Sequence, residues 1–206
     1  MKEILLGELD GKSGKGRGLG RDAYYFENES KGEALFLKSF LFKVNKVKYR
    51  TRAYVRFYKK KEYTEEVYLD AGTVTYPSFI PGDEIQVNDI VIYIESGQKG
   101  VIDIDLSKYD IPMPAEGLFV SLEGDGYFDD KGDKVTRLKP KDATVIDFHP
   151  SVTDNYCGTA IVQGREDLFW INSNKRLRTD FKYAFKKEAP EKMLVAPNFG
   201  LKVGHR

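Results

Sequence analysis

The chain has a single cysteine, Cys157, among 206 residues. That excludes an intrachain disulfide and any zinc site built from several thiolates. A lone cysteine in a Tyr-Cys-Gly setting behaves as a small buried hydrophobe. Histidine is almost as scarce, with only His149 and His205, and two such residues do not make a metal centre. Long apolar runs are missing too: none approaches the ~20 residues that span a bilayer. At the amino terminus one lysine precedes only Ile4-Leu5-Leu6, too short for a signal-peptide core. The chain is therefore read as cytoplasmic or as a mature or trimmed form of an exported protein. No long 3.6-residue periodicity, internal repeat or Pro/Ser-rich linker divides it.

What is abundant is aromatic. Thirteen Phe, 13 Tyr and one Trp supply a core and leave rings for the surface. The net charge of +1 hides a polarity. Residues 1–61 carry 16 Lys/Arg against 7 Asp/Glu, and the remainder 17 against 25. Such a split steers an anionic partner, pairs the two halves, or simply solvates the surface, and the last is the plainest reading.

Short segments of period two run through most of the chain. Val101-Ile-Asp-Ile-Asp-Leu106, a polar turn, Pro112-Met-Pro114 and then Leu118-Phe-Val-Ser-Leu-Glu123 describe two strands joined by a proline-stiffened turn. Phe36, Phe40, Phe42 and Val44 share a face. Ala53, Val55 and Phe57 oppose Arg52, Tyr54, Arg56 and Tyr58, and a one-residue slip would bury two arginines. Ile90, Ile92 and Ile94 alternate with Val91 and Tyr93. Further strands are expected at 1–9, 23–27, 67–71, 144–148, 160–163, 168–172, 179–186 and 199–203. Lys59–Thr64 is expected to be a hairpin tip or loop, and Pro77 and Pro81-Gly82 to interrupt the strands. The fold class is all-β: an antiparallel two-sheet sandwich, jelly-roll-like, as one domain over 1–206. Residues 11–21, with five glycines and four basic residues, are expected to form a flexible basic loop.

The motifs are weak. A P-loop would need glycine where Leu6 stands, and a dinucleotide fingerprint needs it at Leu19. Arg52, Tyr54, Arg56 and Tyr58 have the composition of a base-stacking strand, but the chain is not basic overall and no nucleic acid is expected. The Asp125–Asp133 loop could wrap calcium, yet its spacing departs from the EF-hand order and its Asp-Gly steps are ordinary turn chemistry. Asp147 and His149 share a strand face near Ser151, without the nucleophile elbow a hydrolase of this kind uses. Paired carboxylates for glycosidase chemistry cannot be singled out among 32 acidic residues. No catalytic residue, cofactor or metal is assigned.

Several segments taken in order carry a resemblance: Lys2-Glu-Ile-Leu-Leu-Gly-Glu-Leu9, Leu37-Lys-Ser-Phe-Leu-Phe-Lys-Val44, Arg52-Ala-Tyr-Val-Arg-Phe-Tyr58, Lys99-Gly-Val-Ile-Asp-Ile-Asp-Leu-Ser-Lys-Tyr-Asp-Ile111, Pro114-Ala-Glu-Gly-Leu-Phe-Val-Ser-Leu-Glu123 and Pro197-Asn-Phe-Gly-Leu-Lys-Val203. Together they resemble the β-sandwich region towards the carboxyl end of exported Bacteroidota proteins labelled carboxypeptidase-like regulatory domain proteins. The likeness covers 2–123 and the last residues, and is loose over 124–195. It implies a cell-envelope or secreted location and offers no site residues. The expected function is a non-catalytic accessory or binding module, with a glycan or another envelope protein as partner. The ring candidates are Tyr127, Tyr156 and Trp170, the last weighed against a place in the core. The alternatives are a polysaccharide-acting jelly-roll hydrolase or lyase and a structural or assembly subunit.

Overall fold

The structure, a computed structural model, describes residues 3–9, 15–30, 33–69, 72–85, 88–151, 153–161, 168–188 and 194–206. Over these residues the chain is the expected all-β, antiparallel two-sheet sandwich, with seven strands in each sheet. Sheet A holds β1 (Ile4–Gly7), β2 (Lys15–Gly18), β4 (Phe36–Lys46), β8 (Gly100–Asp105), β10 (Val145–Pro150), β13 (Val195–Pro197) and β14 (Phe199–Gly204). Sheet B holds β3 (Arg21–Phe26), β5 (Arg50–Leu69), β6 (Gly72–Glu84), β7 (Ile90–Ile94), β9 (Leu118–Phe128), β11 (Tyr156–Ile161) and β12 (Leu168–Ile171). Its path runs β12-β11-β3-β9-β5-β6, with β7 also on β5.

The alternation in the sequence fills the space between the sheets. Phe40, Phe42 and Val44 from sheet A meet Ala53, Val55, Phe57, Ile90, Leu118, Val120 and Leu122 from sheet B, all buried. Each large side chain so placed stabilises the fold by roughly 1.5–3 kcal/mol. One register differs from a simple period. Lys202 pairs with Ser39 but Val203 with Leu37, so Lys38 is the extra residue of a bulge. The bulge turns Leu37, rather than Phe36, into the core.

Other expectations change. Lys59–Thr64 is no hairpin tip but part of β5, a 20-residue strand, whose Lys/Glu/Thr pattern has no apolar period because this ribbon is solvated. Pro77 and Pro81 lie inside β6, opposite Thr64 and Lys60. Proline is tolerated there because β6 is an edge strand and its outer N–H groups need no partner. In the expected basic loop, Lys15–Gly18 pairs with β10 and Arg21 opens β3, while residues 10–14 lie outside the described residues.

The largest correction is at 179–186, where a strand was expected. Ser173–Phe185 is an α-helix, α1. Asn172 caps it by accepting from the Lys175 N–H at 3.1 Å. Phe181 and Phe185 share a face at a period of either two or 3.6, so their spacing alone did not separate strand from helix. Asp129 closes the Asp125–Asp133 turn, its Oδ1 accepting from the N–H groups of Lys131 and Asp133 at 2.9 Å each.

Candidate functional site

Sheet B has two apolar faces. Opposite the sandwich core, Ala23, Tyr25, Tyr58, Phe119 and Cys157 form a second buried cluster. Beyond a register shift between Tyr58 and Lys60, the β5–β6 ribbon brings Phe79 and Ile80 onto this face. Phe79 sits 5.4 Å from Tyr25 and 6.0 Å from Phe119, ring to ring. The Asn172 amide donates to the Phe79 carbonyl at 3.2 Å, tying β6 to the β12–α1 junction. Sheet B thereby curls towards a barrel over one end of its outer face. Cys157 is inside it, and burial pushes its thiol well above the ordinary range, which disfavours the reactive thiolate.

The other end of the same face stays open. Across it, Tyr93 pairs with Arg52 and Val91 with Tyr54. Tyr54 in turn pairs with Glu123, and Glu123 with Arg21. Tyr93 is 45% exposed and the Arg50 guanidinium lies 4.2 Å from its ring centre. Arg56 covers Tyr54 at 5.1 Å, and Arg52 covers Phe128 at 5.4 Å. Each of these arginines also meets a carboxylate. Arg50 Nε is 3.0 Å from Glu95, and Arg56 is 3.0 Å from Glu84 and 2.8 Å from Asp89. Arg52 bonds Asp125, the extra residue of a bulge opposite Arg52 and Ala53. The Asp125 hydrogen bond holds the Arg52 guanidinium above its ordinary pKa.

Between the two ends sits Glu123. Its Oε1 accepts from the Tyr58 and Ser121 hydroxyls at 2.7 Å each, and Arg21 Nε lies 3.2 Å from Oε2. Arg21 also stacks on Trp170 at 4.9 Å, and Trp170 meets Tyr58 edge-on at 5.9 Å. Burial, with Glu123 adding to it, pushes the Tyr58 phenol up to about 12. A carboxylate held by two hydroxyls and a guanidinium is a fixed acceptor.

The three ring candidates do not share a surface. Trp170 is half-buried on the outer face of sheet B. Tyr156 lies in the sandwich core, 2% exposed, so its ring is closed to a ligand. Its hydroxyl donates to Asp22 Oδ1 at 2.7 Å and accepts from Arg17 Nη1 at 3.2 Å. Tyr127 is half-buried opposite the buried Thr51, and burial raises its phenol despite a hydrogen bond with the Thr144 backbone. An exposed ring on the outer face of sheet B, outside the three candidates, is Tyr93. Its signal was present: the alternation that buries Ile92 and Ile94 turns Val91 and Tyr93 outward.

Asp147 and His149 do share the outer face of sheet A, and both are buried. They are not joined to Ser151. Asp147 accepts from Asn45 at 2.6 Å and Asn198 at 3.1 Å, with the Lys43 ammonium 3.2 Å away. His149 Nε2 lies 2.8 Å from Glu8, outside hydrogen-bond alignment. Ser151 Oγ accepts from the Thr153 N–H. Among the described residues no group of three His, Cys, Asp or Glu side chains could hold a metal ion, and no helix is long and apolar enough to cross a membrane. No protein-family model, no curated protein and no solved structure matches the chain.

Proposed function

We propose that this chain is a non-catalytic binding module and that the open end of the sheet B outer face takes a glycan. The observation that carries the reading is the pairing of Arg50, Arg52 and Arg56 with carboxylates beside the exposed ring of Tyr93. Such a surface has little surplus positive charge for a phosphate backbone. It offers instead an apolar ring for the C–H face of a sugar, flanked by donors and acceptors fixed in place for hydroxyls. The exposed sheet face also suits binding better than hydrolysis, which needs two carboxylates across a cleft. On the resemblance alone, the module belongs to a cell-envelope or secreted protein.

A broad oligosaccharide array tests the reading. Wild-type protein is expected to retain a subset of glycans that Tyr93→Ala loses with its unfolding midpoint unchanged. An array without a single bound glycan would overturn it.

A second reading, an assembly subunit, is favoured by β1. It pairs only with β14 among the described strands, and Ile4 and Leu5 on it are 39% and 52% exposed. An edge strand of that kind invites pairing with another chain. A sedimentation coefficient independent of concentration would count against self-assembly.

A further inference from the structure

We infer that α1 is a docking element for an anionic lipid surface. Leu177, Phe181 and Phe185 recur at intervals of four, which places them on one helix face. Two of them are left to solvent, Leu177 at 50% and Phe185 at 62% exposed, while Phe181 is half-buried with its ring 4.7 Å from that of Phe185. On a sheet-built protein this is an apolar stripe pointing at solvent.

The rest of the helix says what should cover it. Residues 173–188 hold six Lys/Arg against two Asp/Glu, against a near balance for the whole chain. Lys182 and Lys186 follow one position after Phe181 and Phe185, so they border the stripe, and the Lys187 ammonium sits 5.8 Å over the Phe181 ring. Three of the six, Lys182, Lys186 and Lys187, lie at the helix C-terminus, where the backbone dipole favours cations, and Lys182 is paired with Glu188 at 3.1 Å. Phe side chains beneath lysines with long apolar stems match a medium that is apolar below and anionic above. Nucleic acid offers the anions without the apolar layer, and the stripe is too short to fill a protein groove by itself.

The N-terminal half anchors the element. Asn172 caps it, and Asp154 holds Arg178 at 2.7 Å and Lys175 at 3.9 Å. Beyond that base, Phe185, Lys186 and Lys187 are exposed. The stripe shares no residue with the open end of the sheet B outer face, so its failure would leave the glycan reading standing.

The test is co-sedimentation of the whole chain with vesicles of phosphatidylcholine alone and of equimolar phosphatidylcholine and phosphatidylglycerol. Binding is expected to the anionic vesicles, weakened by salt. The double variants Leu177→Ser/Phe185→Ser and Lys186→Glu/Lys187→Glu should each lower it at least tenfold. All four side chains are exposed, so the unfolding midpoint should hold, and circular dichroism checks that the helix remains. Equal partition to both vesicle types, no partition to either, or either folded double variant binding like wild type would overturn the inference.

Discussion

The outer face of sheet B is one surface with two fates. At one end Tyr25, Tyr58 and Phe119 are covered by Phe79 and Ile80 of the β5–β6 ribbon and buried like a core. At the other, Tyr54 on the same β5 as Tyr58 and Tyr93 on the neighbouring β7 lie without a roof, and arginine–carboxylate pairs take the place of apolar neighbours. The composition of the two ends is similar, tyrosine beside basic residues. What separates them is cover. A ring beneath a second layer adds to stability, whereas one capped only by a guanidinium remains available to a ligand. Glu123 stands at the boundary and serves both, satisfying Tyr58 on the covered side while holding Arg21 beside Trp170.

The comparison breaks most readily at Phe119. Truncating this fully buried ring to alanine should cost about 3–5 kcal/mol in urea unfolding, similar to Phe57→Ala in the sandwich core. A loss under about 1 kcal/mol would mean that the covered end is not a core.

Glu123→Gln should cost about 1–3 kcal/mol, because a charged acceptor shared by Tyr58 and Ser121 becomes a neutral one and Arg21 loses its counter-charge. The Tyr58 phenol should titrate below its present value of about 12, since Glu123 contributes to raising it. Ultraviolet titration of the variant against wild type reads this, and an unmoved phenol would remove Glu123 from the boundary.

Asp22 sharpens the contrast from inside the sandwich. Burial raises its carboxyl above the ordinary value, against opposing effects of Tyr156 and Arg17. The folded state therefore holds the proton more tightly than the unfolded chain. This contribution to stability is fully present below the unfolded pKa and is lost as pH rises through the folded one. Asp22→Asn, which keeps an acceptor for the Tyr156 hydroxyl, should raise the melting temperature at pH 7 more than at pH 3. A variant less stable at pH 7 would show that the carboxylate is a net benefit.

The smallest stability effect belongs to Tyr93. Replacing this exposed ring with alanine should change stability by no more than about 0.5 kcal/mol.

The inner face of sheet B was legible because polar residues mark every second position. Arg52, Tyr54 and Arg56 could point only outward once Ala53, Val55 and Phe57 were buried. The second core was hidden for the opposite reason. Ala23-Tyr-Tyr-Phe26 and Leu118-Phe-Val-Ser-Leu122 are nearly continuous apolar runs, the pattern of a strand covered on both faces. No alternation remains there to say that a second layer exists. The roof itself, the β5–β6 ribbon, is written in Lys, Glu, Thr and Pro, whose pairing is set by backbone bonds along an edge. At α1 the obstacle was degeneracy, since Phe181 and Phe185 satisfy both periods, and the decisive residue is a cap, Asn172, outside the repeat. For Tyr127, Tyr156 and Trp170 the sequence shows a ring but not its depth. Only strand pairing sets depth, placing Tyr156 opposite the buried Tyr24 and Trp170 opposite Thr159 on the other face.

The most direct test measures glycan binding and urea unfolding together for Tyr93→Ala and Tyr25→Ala, one from each end of this face. The account predicts that Tyr93→Ala loses the glycans bound by wild type at an unchanged midpoint, and that Tyr25→Ala shifts the midpoint down while the protein that remains folded still binds. Undiminished binding by Tyr93→Ala, or an unchanged midpoint in Tyr25→Ala, would contradict it.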